Sequence, residues 1–334
     1  MARWNALVTV PQSLRQWVVR QEALDKLAGF CDVTLNESGA NWDENQLAQQ
    51  IGGIDVVIAS WGLAKLDETV MAKADRLKFV GYGAGSVKGF ALPPFWAKGC
   101  RLSHAAFRIA DSVAEYTLTA TMMGLRRLQD YDRRVKAGEA WPKSRQDFSY
   151  EIRGMKVGLL GLGYVGRRTA ALFQALGAEV WAYDPYLSAE RAAELGVHQA
   201  ELDELLASCP VVSVHLPVTP ETHHLLGAHE LATMRDGAVL INSARAWTVD
   251  QDAMLAELQS GRIWAALDVY DPEPLPVDHP LRKLDNVVLT PHVAGHTQTA
   301  HLSLMGEMID EAERLYKMEP LKHEVTQEML ATMA

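Results

Sequence analysis

Cysteine and long apolar segments are both scarce in this sequence. The three cysteines, Cys31, Cys100 and Cys209, are far apart and form no CxxC pair. This argues against a disulfide framework or a zinc site and predicts reduced, buried thiols. No apolar run approaches the roughly 18 residues that a membrane helix requires, and the stretch "ALVTV" at 6–10 is too short for a signal peptide. We therefore expect a cytoplasmic protein with no membrane partner.

Positively charged residues are also fewer than negatively charged ones. Lysine and arginine total 32 against 42 aspartate and glutamate residues, so the formal net charge is −10, and no basic run is long. This balance argues against nucleic acid and anionic membranes as partners. A bound anion would need a local positive site, and we expect no metal ion.

What the sequence does contain is an alternation of short apolar runs with longer amphipathic segments over 334 residues, a length that favours two domains. Five predicted strands occupy the first part of the chain: "ALVTV", "CDVTL", "DVVIAS", "LKFVGYG" and "CRLSHA". Predicted helices near 13–28, 43–51 and 66–75 lie between them. Such an alternation predicts a parallel sheet that is covered on both faces.

A second βα series opens at 155, after a predicted long helix and a polar stretch. The helix covers 111–136, with Asp111 or Ser112 as its N-cap. The six predicted strands of the series are "MKVGLL", "EVWAY", "VVSVHL", "AVLINS", "WAALDV" and "NVVLT". Helices are predicted near 164–177, 188–194, 201–207, 229–234, 251–260 and 299–318. Six strands with intervening helices match the doubly wound dinucleotide-binding plan.

Three glycines mark one strand-to-helix turn, in "VGLLGLGYVGRRTA", where Gly161, Gly163 and Gly166 form a GxGxxG pattern. The first permits the tight turn, the second lets the backbone approach a pyrophosphate, and the third lets helix and strand pack closely. Asp184 ends the next strand, where a carboxylate accepts hydrogen bonds from the adenosine ribose and repels a 2′-phosphate. We predict a dinucleotide site that prefers NAD over NADP; the alternative is a tight turn followed by a helix-capping aspartate.

Polar side chains follow the strands of the second series, at the edge where ligands of open α/β sheets bind. These residues are His215, Ser243, Arg245, Asp268, Glu273 and His292. Any one of them could be a surface residue in a loop. Together they predict a site beside the glycine turn.

The chemistry of this set fits hydride transfer to a keto acid. Nicotinamide supplies the hydride, and a general acid, for which His292 is the candidate, must protonate the resulting alkoxide. Arg245 would hold the substrate carboxylate and polarise its carbonyl. Glu273 would fix the tautomer of the imidazole and favour its protonated form. His292 is preferred over His296 because it stands at the strand end, in line with the other groups.

The other histidines are expected to be structural, namely His223, His224, His296 and His301. For His215 we expect a structural position near the cofactor, and a direct catalytic role is the alternative.

Several motifs together resemble the D-isomer-specific 2-hydroxyacid dehydrogenase family over nearly the whole chain. They are "GLLGLGYVG", "VHLPVTPETHHLLG", "INSARAWTVDQDAMLAELQSGRI", "ALDVYDPEPLP" and "LTPHVAGHT". The resemblance implies an α/β fold with two Rossmann-like or flavodoxin-like domains and parallel sheets. A discontinuous substrate domain, 1–110 with 300–334, would accompany a doubly wound NAD-binding domain over 111–299. That domain includes an arm at about 137–154, and the resemblance implies a homodimer through the arm around Trp141.

The resemblance also implies roles for individual residues. Arg245 corresponds to the substrate-binding arginine, Glu273 and His292 to the Glu–His proton-transfer pair, and Asp268 to the acid that contacts the nicotinamide carboxamide. The candidate cofactor-binding residues are Gly161, Gly163, Tyr164, Val165, Gly166, Asp184, His215, Pro217, Thr222, Ser243, Ala244, Asp268 and His292. The candidate substrate-binding residues are Ala84, Gly85, Ser86, Arg245 and His292.

The substrate region departs from the family pattern. It reads "YGAGSVKGF", with Lys88 about where an Asp is usual, and His104 replaces a usual Asn before "VAE" at 113–115. Ala246 turns the usual "ARG" into "ARA". Lys88, His104 and Arg108 could add positive charge for a second acidic group on the substrate; the alternative is that each is solvent-facing or structural.

The leading hypothesis is an NAD-dependent oxidoreductase that interconverts a 2-keto acid and a D-2-hydroxy acid. Glyoxylate, hydroxypyruvate and longer keto acids all remain open. Phosphoglycerate is less expected because no regulatory domain follows residue 334, and formate because formate dehydrogenases of this family carry Gln at the position of Glu273. The alternative class is an NAD(H)-sensing corepressor or scaffold of the same fold. Decayed activity is disfavoured because Arg245, Glu273 and His292 all remain.

Overall fold

Two compact units make up the part of the chain that the computed structural model describes, residues 2–139 and 149–333. The first unit combines Met1–Ile109 with His296–Ala334, and the second is Ala110–Gly295. The chain passes from the first unit to the second between residues 109 and 110 and returns between residues 295 and 296. The boundaries predicted from the sequence lie between residues 110 and 111 and between residues 299 and 300. Trp141, around which we predicted the dimer arm, lies outside the described residues.

The described residues form thirteen strands, numbered along the chain. They are β1 (Trp4–Val8), β2 (Cys31–Leu35), β3 (Val56–Ala59), β4 (Phe79–Tyr82), β5 (Arg101–His104), β6 (Lys156–Leu160), β7 (Glu179–Tyr183), β8 (His198–Gln199), β9 (Val211–Val214), β10 (Val239–Asn242), β11 (Trp264–Leu267), β12 (Val287–Leu289) and β13 (Glu324–Val325). All eleven predicted strands are present. The two that the sequence did not predict, β8 and β13, have two residues each, too few for a periodic pattern.

The helices are likewise numbered along the chain. They are α1 (Gln12–Val18), α2 (Gln21–Phe30), α3 (Glu44–Gln50), α4 (Glu68–Lys73), α5 (Pro93–Ala97), α6 (Ala106–Arg126), α7 (Leu128–Lys136), α8 (Tyr164–Ala175), α9 (Ala189–Leu195), α10 (Leu202–Ser208), α11 (Ala228–Thr233), α12 (Gln251–Gln259) and α13 (Gln298–Tyr316). Several begin at the side-chain caps that short polar residues provide. Asp43 forms a capping box with Gln46 at α3, and Asp67, Ser188 and Asp250 accept first-turn N–H groups of α4, α9 and α12.

Each unit contains one sheet. The first sheet has the order β2-β1-β3-β4-β5-β13, parallel except for β13, which runs antiparallel to β5. Its five parallel strands have the flavodoxin-like order 2-1-3-4-5. The second sheet is parallel throughout, with the order β8-β7-β6-β9-β10-β11-β12. Six of its strands reproduce the dinucleotide-binding order 3-2-1-4-5-6 and β12 adds a seventh, so the predicted fold class is confirmed.

Burial on both faces explains why the strands read as continuous apolar runs. In β1, Leu7 belongs to the core on one face of the first sheet, and Ala6 and Val8 belong to the core on the other. In β6, Leu160 and Leu159 divide between the two faces of the second sheet in the same way. This is the pattern of parallel sheets with helices on both sides.

Two predicted helices are broken, which corrects the sequence interpretation. The segment 13–28 splits into α1 and α2 because the backbone is extended at Val19 and Arg20. No glycine or proline marks this break; the adjacent valines 18 and 19 are buried and β-branched, which favours extended backbone. The segment 111–136 splits at Arg127, whose φ of 51° is left-handed. Periodicity alone did not reveal either break.

The predicted N-cap of the long helix is wrong. The helix α6 begins at Ala106, directly after β5, so Asp111 and Ser112 lie inside it. Asp111 forms an ion pair with Arg168, with Oδ1 and Nε 2.9 Å apart, and Ser112 is buried. We predicted Asp111 or Ser112 as the cap because short polar residues are frequent at the N-cap position of helices. The helix instead begins two residues after the end of β5, at Ala106.

The cysteine prediction is confirmed, since all three thiols are free and buried. Burial raises the pKa of Cys31 and of Cys209 to about 12, so neither is a reactive thiolate near neutral pH. Across residues 2–139 and 149–333, none of the helices has the length and apolar character needed to span a bilayer.

Candidate active site

The glycine turn after β6 has a backbone that requires glycine. Gly161 has a φ of +94°, and its N–H donates to the Tyr183 carbonyl over 2.8 Å. A Cβ at this position would lie 2.8 Å from the carbonyl oxygen of His215, which is closer than real contacts allow. Both the dihedral angle and the neighbouring strand end therefore exclude a side chain.

The other two glycines of the turn differ in what surrounds them. A Cβ on Gly166 would lie 2.1 Å from the Gly161 carbonyl oxygen, so this glycine permits the close approach of α8 to the turn. A Cβ on Gly163 would meet no atom within 4 Å. Gly163 precedes Tyr164 at the start of the twelve-residue α8, whose first N–H groups and dipole favour a negative charge. The open space at Gly163 fits a pyrophosphate.

Asp184 follows β7 and stabilises the glycine turn. Its Oδ2 accepts the N–H of Leu162 over 2.8 Å, and its Oδ1 accepts the N–H of Tyr186 over 2.9 Å. Each carboxylate oxygen can accept a second hydrogen bond, so contact with a ribose hydroxyl remains compatible with this arrangement. The residue thus has a turn-fixing role in addition to the ribose role that the sequence predicts.

His215 and the segment after it line the end of β9. The imidazole Nε2 lies 3.0 Å from Ser213 Oγ, and loss of hydration lowers the pKa of His215 to about 3. The ring is therefore neutral near pH 7 and a poor proton donor, which favours the structural interpretation. Thr222 donates its hydroxyl to the carbonyl of Pro217 over 2.7 Å and closes the loop that follows.

Three neighbouring strands carry the candidate catalytic groups at their carboxyl ends. Arg245 follows β10, Glu273 follows β11, and His292 follows β12. Because these strands are adjacent and parallel, residues beyond their ends meet at one edge of the sheet. Ser243 and Ala244 precede Arg245, and Ser243 is buried with its Oγ 3.3 Å from Thr117 Oγ.

Glu273 and His292 form the central pair. Nδ1 of His292 lies 2.9 Å from Oε2 of Glu273, and Oε1 accepts the N–H of Tyr270 over 3.0 Å. Burial would raise the pKa of Glu273, but the hydrogen bonds from His292 and Tyr270 and the charges of His292 and Arg245 outweigh it and lower this pKa. Glu273 is thus a carboxylate at neutral pH that accepts the Nδ1–H of His292.

Arg245 is half-buried beside this pair. Burial lowers the pKa of Arg245, and the Glu273 carboxylate opposes that change. One guanidinium nitrogen donates to the carbonyl of Ala244 over 2.6 Å. A guanidinium has five N–H donors, so this single contact leaves donors for a carboxylate ligand.

A cleft of about 440 Å³ borders the pair within the second unit. Its walls include Glu273, His292, Leu275, Leu289 and Arg282. Apolar walls with a few polar groups are the usual composition of a small-molecule site. The Glu273–His292 pair is therefore reachable from a space of the size that a small organic acid requires.

Comparison with known proteins identifies the family. Residues 118–294 match the family described as D-isomer specific 2-hydroxyacid dehydrogenase, NAD binding domain. This chain belongs to the D-isomer specific 2-hydroxyacid dehydrogenase family. The matched stretch contains the glycine turn, Arg245, Glu273 and His292, and NAD is the cofactor that this domain binds.

Individual relatives differ in how much of their length is matched. A glyoxylate reductase from Thermofilum pendens is 33% identical over 291 residues, which cover 84% of this chain and 84% of that protein. A D-3-phosphoglycerate dehydrogenase from Archaeoglobus fulgidus is 36% identical over 262 residues, 78% of this chain and 49% of that protein. The chain thus spans about half the length of that relative. A crystal structure of a D-lactate dehydrogenase from Treponema pallidum is 25% identical, with a TM-score of 0.77 over 96% of this chain and 99% of that one.

Asp268 makes several hydrogen bonds within the second unit. Its carboxylate is fully buried. Oδ1 accepts the Thr290 hydroxyl over 2.5 Å and the N–H of Val293 over 2.8 Å, and Oδ2 accepts the N–H of Ala294 over 2.8 Å. Asp268 therefore holds the loop that carries His292, and a contact with nicotinamide stays a prediction.

The histidines predicted to be structural all contact other rings. In the first unit the His296 ring lies 4.4 Å from that of His301, which lies 4.9 Å from Trp61. In the second unit His223 stacks on His224 at 4.0 Å and lies 4.1 Å from Trp247. Ring contacts of this kind fit packing roles.

The candidate substrate loop lies in the first unit, after β4. Ala84 is buried, and Gly85 and Ser86 are partly exposed. Nδ1 of His104 lies 2.7 Å from the Gly85 carbonyl oxygen, and because a carbonyl only accepts, Nδ1 carries the hydrogen. Burial lowers the pKa of His104, so this ring is neutral near pH 7 and fixes the loop without adding charge.

Sequence reasoning missed three hydroxyl groups near the pair. They belong to Tyr116, Tyr270 and Thr290. The Tyr270 hydroxyl lies 2.8 Å from the carbonyl oxygens of both Leu267 and Thr290 and shares its one hydrogen between them, and the Tyr116 hydroxyl lies 2.6 Å from Thr290 Oγ. Thr290 directly follows β12, so the strand-end rule could have found it. No pattern in the sequence predicts that Tyr116, 174 positions before Thr290, contacts the Thr290 hydroxyl.

Proposed function

We propose that this protein is an NAD-dependent oxidoreductase that interconverts a 2-keto acid and a D-2-hydroxy acid. The observation that carries the proposal is the Glu273–His292 hydrogen bond of 2.9 Å, with the half-buried Arg245 close enough to lower the pKa of Glu273. A proton donor, its orienting carboxylate and a guanidinium are the protein groups that such a reduction needs. They stand at the same sheet edge as a glycine turn suited to a dinucleotide.

The roles follow from which atom each group presents. The chemistry that NADH would supply when bound is a hydride for the carbonyl carbon. Arg245 binds the substrate carboxylate and polarises the carbonyl with the donors of its planar fork. His292 gives its Nε2 proton to the carbonyl oxygen, while its Nδ1–H continues to donate a hydrogen bond to Glu273. In the balanced reaction, one keto acid, one NADH and one proton would give one hydroxy acid and one NAD⁺.

The glycine turn and Asp184 are the proposed NAD site. Gly163 and the first turn of α8 would hold the pyrophosphate, since this is where a side chain is absent and N–H groups are available. Asp184 would accept the ribose hydroxyls and disfavour a 2′-phosphate by charge repulsion. A preference for NADH over NADPH is therefore part of the proposal.

We favour a small keto acid with one carboxylate, such as glyoxylate or hydroxypyruvate. The relative from Thermofilum pendens that matches over most of its length is named a glyoxylate reductase. His104, one of three residues considered for a second acidic group, is buried with a lowered pKa. The substrate loop beside it therefore gains no charge from this histidine.

A screen of NADH oxidation against 2-keto acids of different size and charge tests the function. The proposal expects turnover with glyoxylate or hydroxypyruvate and lower kcat/KM with phosphohydroxypyruvate. Tight NADH binding with no oxidation across the whole panel would contradict it and support the NAD(H)-sensing corepressor. That alternative is not favoured, because named relatives of this chain are dehydrogenases and reductases.

A homodimer and a cytoplasmic location complete the proposal. Both derive from the family resemblance and the composition. Sedimentation equilibrium at micromolar concentration would test the dimer, for which a single species of monomer mass is the contrary result. Cell fractionation with an antibody would test the location.

A further inference from the structure

The loop that carries His292 has a backbone conformation that needs support. His292 has a φ of +55°, in the left-handed region that residues other than glycine seldom adopt. Such a conformation is strained and persists when surrounding contacts determine it. The contacts that fix residues 290–294 therefore also fix the direction of the His292 imidazole.

Asp268 and Tyr270 provide part of that support from β11 and the segment after it. The buried Asp268 carboxylate accepts the N–H groups of Val293 and Ala294, directly after His292. The Tyr270 hydroxyl shares its one hydrogen between the carbonyls of Leu267 and Thr290, each 2.8 Å away, and Thr290 lies on the other side of His292. The loop is thus held on both sides of the histidine.

The hydroxyl of Thr290 connects this support to helix α6. Thr290 Oγ lies 2.5 Å from Oδ1 of Asp268, and a carboxylate can only accept, so Thr290 donates its single hydrogen there. The Tyr116 hydroxyl lies 2.6 Å from the same Oγ. Since the hydrogen of Thr290 is already used, Tyr116 must be the donor. The hydrogen bonds therefore run in one direction, from Tyr116 through Thr290 to Asp268.

Tyr116 remains a donor over the whole neutral range. Burial raises the pKa of Tyr116, the Thr290 hydrogen bond opposes that shift, and the nearby charge of Asp268 adds to it. A phenol that donates to a hydroxyl polarises that hydroxyl toward the carboxylate. Tyr116 thus strengthens the Thr290–Asp268 bond through the Thr290 hydroxyl.

We propose that Tyr116 and Thr290 are positioning residues that hold the His292 loop through Asp268 and so align the imidazole for proton transfer. The inference rests on the proposed function for its kinetic meaning, and on hydrogen bonds within the second unit for its structure. Thr290 lines the cleft beside the Glu273–His292 pair, and Tyr116 is not among the described residues that line it. Their effect passes through Asp268 to Val293 and Ala294.

A double-mutant cycle tests the direction of the network. Thr290→Val should lower kcat roughly 10- to 100-fold, because it removes a hydrogen bond to a buried carboxylate, and Tyr116→Phe roughly 2- to 10-fold. Added to Thr290→Val, Tyr116→Phe should lower kcat by less than about 2-fold, because its only route to the loop has gone. Thr290→Ser, which keeps the hydroxyl, should restore kcat to within about 3-fold of the wild type.

Matched controls separate positioning from general stability. Tyr150→Phe makes the same change at a ring that is 61% exposed, and Thr233→Val removes a hydroxyl that donates to the His229 carbonyl in α11. Both controls should keep the wild-type kcat. The proposal is overturned if Tyr116→Phe lowers only the melting temperature, or if it lowers kcat equally with and without Thr290→Val.

A spectroscopic readout keeps the inference testable if no keto acid is reduced. In protein labelled with ¹⁵N-histidine, the Nδ1 resonance of His292 can be assigned by its loss in His292→Gln. Thr290→Val and Tyr116→Phe should move it toward its position in Glu273→Gln, where the carboxylate partner is absent. An unmoved resonance in both variants would refute the network, whereas absent turnover with a moved resonance refutes only the proposed function.

Discussion

Nδ1 of His292 and Oε2 of Glu273 lie 2.9 Å apart although the two residues follow different strands. A carboxylate can only accept, so Nδ1 carries the hydrogen of this bond and the tautomer is fixed. Nε2 is then the nitrogen left for the proposed proton transfer. The hydrogen bond through Nδ1 orients the ring.

His292→Gln should remove turnover and leave cofactor binding in place. We expect kcat to fall on the order of 10²–10⁴-fold, the usual contribution of a positioned general acid. NADH affinity, measured by fluorescence titration, should stay near the wild-type value because the glycine turn is unchanged. Near-normal turnover in this variant would mean that another group donates the proton.

Glu273→Gln should change how the stability of the protein depends on pH. The pKa of Glu273 is lower in the folded state than in the unfolded chain. The ionised Glu273 carboxylate therefore stabilises the fold fully above its unfolded pKa of about 4.3. This stabilisation is lost as the pH falls through the pKa that Glu273 has in the folded protein. The difference in melting temperature between wild type and variant should therefore shrink below about pH 4. A difference that persists unchanged to pH 3 would contradict the assignment.

Arg245→Lys tests the geometry of substrate binding rather than its charge. A lysine keeps the positive charge but has no planar fork, so we expect KM to rise and kcat to fall together. A combined loss of roughly 10²-fold in kcat/KM would correspond to about 2.7 kcal/mol of transition-state binding. Equal kinetics for Arg245→Lys and wild type would mean that the guanidinium contacts no carboxylate.

The parallel sheets could be predicted from the sequence because burial on both faces leaves a strong pattern. Runs such as 56–59 and 211–214 are wholly buried strands with apolar composition. The breaks at Val19 and Arg127 could not be predicted, since they depend on packing and a local left-handed residue rather than on glycine or proline. Strands of two residues, β8 and β13, are too short to give any period.

The candidate site could be predicted where a strand end fixes the position of a side chain. Arg245, Glu273 and His292 follow three neighbouring strands, so parallel topology alone places them at one edge. Tyr116 could not be found in this way because it acts from a helix, across 174 positions. The sequence also does not predict that the Asp268 carboxylate accepts hydrogen bonds from the N–H groups of Val293 and Ala294, which follow His292.

Asp184→Ala should reduce the preference for NADH over NADPH and weaken the glycine turn. The carboxylate accepts the N–H groups of Leu162 and Tyr186, so its loss leaves two backbone donors without this partner. The ratio of kcat/KM for the two cofactors should fall, and NADH affinity should fall as well. Asp184→Asn keeps one acceptor oxygen without the charge, and it should hold the turn better while losing the discrimination. An unchanged cofactor ratio in both variants would place the ribose elsewhere.

Gly163→Ala and Gly166→Ala form a pair that separates cofactor binding from folding. A Cβ on Gly166 would lie 2.1 Å from the backbone oxygen of Gly161, so this variant should lower the melting temperature and lose NADH binding together. A Cβ on Gly163 meets no atom within 4 Å, so the protein should fold with a normal melting temperature. It should nevertheless bind NADH at least about 10-fold more weakly, because the methyl group occupies the space where backbone approaches a pyrophosphate. Calorimetry with and without NADH measures both effects, and normal NADH binding by Gly163→Ala would mean that the pyrophosphate does not lie on this turn.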